Sequence, residues 1–153
     1  MTDSHRLGWT PAVWTALRWL GYGGWAPFAA ALLWSTAGPY PEVGAQVLQA
    51  YAISIVTFVG ALSWAWALAV PGLQPQQQRR LLVWSVVPSL LSTATVMLPN
   101  PMQWWALALV YLWALRMDVA HNAFLHWPKQ WLRLRAQLTA GAVATLLLAG
   151  WWL

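Results

Sequence analysis

A chain of 153 residues has room for one ordinary domain, but 60% hydrophobic and 7% charged residues exclude a soluble one, which carries about 25% charged residues. The net charge of +5 sits in short gaps between apolar runs, where cytoplasmic membrane flanks carry it, so the expected partners are membrane lipids and not nucleic acid. No cysteine is present, which excludes disulfides and thiolate chemistry.

A membrane-crossing helix needs about 20 mostly apolar residues, because about 30 Å of hydrocarbon is crossed at about 1.5 Å per residue. Five segments qualify, at about 17–37, 45–70, 81–98, 102–119 and 136–153. The predicted fold is all-α: one integral membrane domain over 1–153, a bundle of five transmembrane helices.

Span one contains GYGGWAP at 21–27, which lacks the preceding strand a phosphate loop requires and reads as a kinked, closely packed helix. Its apolar run exceeds the about 7–15 residues of a secretory leader, so it is expected to be retained. Span two, AYAISIVTFVGALSWAWALAV at 50–70, carries Ser54, Thr57, Gly60, Ala61 and Ser63, residue types that let helix backbones approach closely in lipid.

Span three contains VVPSLLSTATV at 86–96, where Pro88 frees a backbone carbonyl and Ser89, Ser92, Thr93 and Thr95 stand near to satisfy it. Broken helices at membrane depth build ligand sites, so Pro88 and Ser89, with the deep Trp64, Trp84 and Trp113, form a candidate cavity. The PNP turn at 99–101 predicts a tight antiparallel hairpin between spans three and four.

At the end of span four, Asp118, His121 and Asn122 share one helix face at i, i+3 and i+4, while Arg116 faces elsewhere. Asp118 is expected to pair with His121 or with a basic residue from another segment, Arg135 foremost. A structural ion pair is the favoured reading of this polar site, with proton relay or substrate binding as the alternatives. His121 and His126 stand five apart, off the spacing of a helical metal pair, so no metal is expected. No catalytic constellation or cofactor fingerprint can be assembled, and neither enzymatic activity nor a cofactor is expected.

Before span five, Phe124, Trp127, Trp131 and Leu134 recur on one face and Lys129 and Arg133 on another, with Pro128 starting a helical turn. This predicts a short interfacial amphipathic segment, with Trp127, Lys129, Trp131 and Arg133 touching lipid. All basic residues fall on one side of the five-span layout: Arg6 and Arg18, Arg79 and Arg80, then Arg116, Lys129, Arg133 and Arg135. Glu42 is on the other. The N-terminus is therefore expected in the cytoplasm and the C-terminus outside.

Of the fifteen tryptophans, Trp9, Trp14, Trp19, Trp104, Trp105, Trp127, Trp131, Trp151 and Trp152 lie near span ends and read as a headgroup belt. Trp25, Trp34, Trp64, Trp66, Trp84 and Trp113 lie deeper or near the shoulders and read as helix packing or lipid contact.

Four blocks carry a resemblance: LGYGGWAPF at 20–28, YAISIVTFVGALSWAWAL at 51–68, VVPSLL at 86–91, and Asp118 followed by Pro128, Trp131, Leu134, Arg135, Leu138 and Thr139. Together they resemble the membrane proteins grouped as domain of unknown function 3429, a family that includes transmembrane protein 69. Ser63, Ala65 and Leu132 depart from its usual residues. The resemblance implies a multi-helix protein of the bacterial inner membrane and supplies no catalytic residues. The tryptophan-rich sensory proteins are similar in length and span number, but their WxPP-type loop is absent: GPYPEVG stands at 38–44.

The expected function is non-enzymatic association, as an accessory or assembly subunit of a larger membrane complex or as a homo-oligomer. The alternatives are a carrier for a small lipophilic or porphyrin-like ligand and a proton-coupled transporter using Asp118.

Overall fold

The computed structural model describes residues 10–153, and Arg6 and Trp9 lie outside them. Six helices follow in order: α1 (Pro11–Gly23), α2 (Trp25–Ala37), α3 (Pro41–Ala69), α4 (Pro75–Ala94), α5 (Met102–Leu125) and α6 (Lys129–Trp152). A 3-10 turn, Thr95–Met97, extends α4. No strand occurs among the described residues.

Among the described residues, three stretches are long and apolar enough to cross a membrane: Pro41–Ala69, Pro75–Met97 and Lys129–Trp152. The five-span expectation is corrected at two places. The expected first span is two helices of 13 residues each, broken at Gly24. Pro27 causes the break: it has no N–H to offer the carbonyl of Gly23, and its ring needs that position clear, while as the third residue of α2 it costs that helix nothing. Helix α5 is long enough, but Trp104, Trp105, Trp113, Arg116 and Asp118 lower its mean hydropathy below that of a typical span.

The interfacial segment expected before span five is also corrected. Pro128 caps α6, and nothing interrupts the helix between Lys129 and Trp152, so the segment is its first two turns. Their apolar face turns inwards: Leu134 and Trp127 are buried, and Trp127 packs edge-on against Trp66 at 5.7 Å between ring centroids. Trp127 therefore contacts protein where lipid was expected. Lys129 and Arg133 are exposed, and Trp131 is half-buried.

Helix α3 organises the bundle. Its buried residues are Gly44, Leu48, Ala52, Val56, Gly60, Ser63 and Ala67, a stripe at a period of three to four. A Cβ on Gly44 would lie 2.5 Å from the backbone N of Ser35, and one on Gly60 would lie 2.9 Å from Cγ of Pro88, so these glycines seat α2 and α4 against α3. Pro88 thus works as a knob in a notch. Helix α4 packs chiefly along α3, and α5 along α6; the expected pairing of the third and fourth spans is present but less extensive, with Trp84 of α4 edge-on to Trp113 of α5 at 5.3 Å. The hydroxyls near Pro88 bond one turn back, Ser85 to Leu82 O at 2.6 Å and Ser92 to Ser89 O at 3.1 Å.

The core gathers Phe28, Leu48, Val56, Trp84, Trp104, Leu107, Tyr111 and Leu146. Trp104, expected in the headgroup belt, is 2% exposed. A second cluster of Ala67, Leu81, Leu125 and Trp127 closes the end where α5 turns into α6.

Candidate functional site

Asp118 and Arg135 meet across the α5–α6 turn. Arg135 donates from Nε at 3.0 Å and from Nη2 at 2.7 Å, both to Oδ2 of Asp118, and both side chains are about nine-tenths buried, at 10% and 11% exposure. Such charges persist in a low-dielectric interior only when paired, so the carboxylate and the guanidinium hold each other in place. Oδ1 accepts no hydrogen bond from a described residue.

His121 does not join the pair. It is fully buried between Trp84, at 6.3 Å, and Phe124, at 5.7 Å, and neither ring nitrogen is hydrogen-bonded among the described residues. Asn122 builds the turn: its Oδ1 accepts from the backbone N of Trp127 at 2.6 Å, and its backbone carbonyl accepts from the N–H of His126. His126 ends α5 in the left-handed region, at φ 53°. Among the described residues no group of three or more His, Asp or Glu could hold a metal ion.

Two spaces adjoin Arg135. One is an apolar groove of about 300 Å³ between the α1–α2 break, α3 and α6, with Trp25, Phe28, Leu62, Tyr111, Leu138 and Thr139 among its walls. Trp25 is set there by its indole N–H, which donates to Leu138 O at 3.3 Å, and by Gly141, whose missing side chain leaves room for the ring. Tyr111 is fixed by donating to Ala52 O at 2.7 Å. The other space is a chamber of about 10 Å³ bordered by Ser63, Trp66, Asp118 and Trp127. Val59, Leu62, Trp131 and Arg135 line both, so the two spaces adjoin at these residues.

The cavity expected from Trp64, Trp84, Pro88, Ser89 and Trp113 is not assembled. Trp64 and Trp113 are exposed, Trp84 stacks edge-on against Trp113 at 5.3 Å, and Pro88 is spent on Gly60. Among the expected site residues only Asp118, Arg135, Trp127 and Trp131 border the groove or its chamber. The residues missed were Trp25, Phe28, Leu62, Ser63, Tyr111 and Thr139. Their one sequence signal was the cluster of Gly21, Gly23 and Gly24 before Pro27, which marks a bend whose inner side must be lined by something.

No curated protein and no solved structure matches the chain. A family model described as "Protein of unknown function (DUF3429)" matches residues 5–150, nearly the whole length, and the chain therefore belongs to that family.

Proposed function

We propose that this is a non-enzymatic, multi-pass protein of the bacterial inner membrane that holds a small lipophilic molecule in the groove between the α1–α2 break, α3 and α6. The observation that carries this reading is the groove itself: about 300 Å³, walled by apolar and aromatic side chains, with a buried charged pair beside it. Sites of that make-up bind small molecules through their apolar walls and orient them through a few polar groups.

In this reading the broken α1–α2 unit and α5 cross the membrane with α3, α4 and α6, giving five crossings. The one-sided distribution of Arg18, Arg79, Arg80, Arg116, Lys129, Arg133 and Arg135 supports a cytoplasmic N-terminus and an external C-terminus.

Association with a larger complex or a second copy was motivated by the small residues of α3. Gly60 and Ser63 are buried within the chain's own packing, while Ser54, Ala61, Trp64 and Trp113 stay exposed, so association remains the second reading beside the groove. Proton-coupled transport draws little support from Asp118, whose carboxylate is committed to Arg135.

The test is purification from native membranes in mild detergent, followed by extraction and mass spectrometry of small lipophiles. The wild-type chain should retain one at near-stoichiometric level, and a groove-filling Leu62→Trp variant with unchanged helicity should lose it. Equal retention by both proteins would sink the reading.

A further inference from the structure

We infer that the cleft between α1 and the first two turns of α6 is a site for one anionic phospholipid, its phosphate held between Arg18 and Arg133. Cleft and groove share only Leu134 among their walls, so the lipid needs the membrane crossing of α6 proposed above but no guest in the groove.

Two helical stripes build the cleft. Trp14, Arg18 and Tyr22 stand four apart on α1, and Gln130, Arg133 and Gln137 stand three and four apart on α6, so each set shares one helix face. The two helices run in the same direction, since Leu134 and Leu138 pack beside Gly21, and Trp25 packs beside Gly141. The Tyr22 hydroxyl donates to Oε1 of Gln137 at 2.7 Å and fixes their register. Arg18 and Arg133 each stand four residues before that bond, so the two guanidiniums belong to one level of the cleft.

The polar inventory of the cleft is one-sided. Of the chain's three acids, Asp3 lies outside the described residues, Asp118 is bound to Arg135, and Glu42 opens α3 at the end opposite Trp66, which packs on Trp127 beside the start of α6. Neither Arg18 nor Arg133 therefore meets a carboxylate among the described residues. Gln137 has its carbonyl oxygen engaged by Tyr22, which leaves its amide N–H groups as donors. Two guanidiniums at one level repel each other, and an anion between them turns that repulsion into two charge-assisted contacts. Phosphate oxygens match the planar guanidinium fork, which binds them in pairs.

Size and depth select a lipid head. The cleft, at about 300 Å³, takes about ten groups of about 30 Å³ each, the size of a glycerol phosphate. Counting the about 20 residues of a hydrocarbon crossing back from Trp152 reaches Arg133, so the cleft sits at headgroup depth on the side where the basic residues gather. The rest of α1 offers a surface for acyl chains: it buries no residue, and Val13, Trp19 and Leu20 are exposed on it. A second space, of about 230 Å³ and lined in part by Trp19, adjoins the cleft at Arg18 and Tyr22. A soluble phosphate would engage the arginines and leave this apolar face bare, whereas a phospholipid covers both.

Native mass spectrometry of the full chain in mild detergent, titrated separately with dioleoyl phosphatidylglycerol and dioleoyl phosphatidylcholine, tests this. One phosphatidylglycerol per chain should be retained about ten-fold more tightly than the zwitterionic lipid. Arg18→Gln combined with Arg133→Gln should bring it down to the phosphatidylcholine level. Arg116→Gln combined with Lys129→Gln removes the same charge from positions outside the cleft and should leave retention unchanged. All four side chains are exposed, so both proteins should keep their helicity, and each single arginine variant, with a loss of about three-fold, serves should the double variant fold poorly. Equal retention of the two lipids, or equal loss in the two double variants, overturns the site. Displacement of the lipid by an equimolar amount of inorganic phosphate overturns the lipid assignment and makes a soluble phosphate the ligand.

Discussion

Arg135 directs two hydrogen bonds to a single oxygen of Asp118, and both residues border a small chamber. The side-on geometry makes one group do two jobs. It ties the start of α6 to the end of α5, and it keeps a charged acceptor available inside an otherwise apolar bundle.

The first job predicts the cost of breaking the pair. Asp118→Asn leaves a buried guanidinium without its counter-charge, and should destabilise the fold by about 3–5 kcal/mol. Replacing both residues, Asp118→Leu with Arg135→Met, should recover most of that loss. Thermal unfolding in detergent reads both outcomes, and a neutral Asp118→Asn would show that the pair is not structural.

Gly44 and Gly23 should respond in opposite ways to the same change. A Cβ at Gly44 meets backbone atoms of Trp34 and Ser35, at 2.9 Å and 2.5–2.8 Å, so Gly44→Ala must push α2 away from α3, at about 1–3 kcal/mol. At Gly23 a Cβ meets nothing within 4 Å, so Gly23→Ala should stabilise by about 0.5–1 kcal/mol through lost chain freedom. Equal melting shifts for the two variants would contradict this packing.

Tyr51 pins the helix break from across the bundle, its hydroxyl donating to Gly24 O at 2.9 Å. Tyr51→Phe should cost about 1 kcal/mol. More tellingly, amide exchange around residues 23–27 should accelerate while α5 and α6 stay protected. Uniform acceleration over all helices would instead mean a global effect.

His126 holds the left-handed position that ends α5, and its side chain is exposed. His126→Gly should stabilise by about 1 kcal/mol and His126→Val should destabilise, since a branched side chain suits that backbone least. If chemical denaturation ranks Val above Gly, the turn is not formed as described.

What the sequence disclosed depended on the range of the cause. Helix punctuation is local, so Pro128 marked where α6 starts, whereas the expected spans at 45–70 and 81–98 begin after α3 and α4 do, at Pro41 and Pro75; the pairing of Asp118 with Arg135 could be argued because an acid at a membrane edge needs a cation. The position of Pro27 relative to Gly24 was visible too, but a kink and a full break leave the same residues on the page. The groove was not legible. Its walls come from α1, α2, α3, α5 and α6, and Trp25 is distinguished from other tryptophans only by Gly141, more than a hundred residues away. Nor does hydropathy separate Trp104, packed in the core, from the exposed Trp105 beside it.

The stripe on α3 carries a further geometric consequence. An α-helix turns about 100° per residue, so Gly44 and Gly60, sixteen positions apart, point about 160° away from each other. One helix therefore receives α2 on one flank and α4 on nearly the opposite flank, and becomes a partition through the bundle. The groove opens on the α2 side of that partition, and α4, with Pro88 inside it, stands behind it. Any guest is thereby shielded from α4 altogether, and a bend at Pro88, however pronounced, reaches the groove only by moving the wall between them.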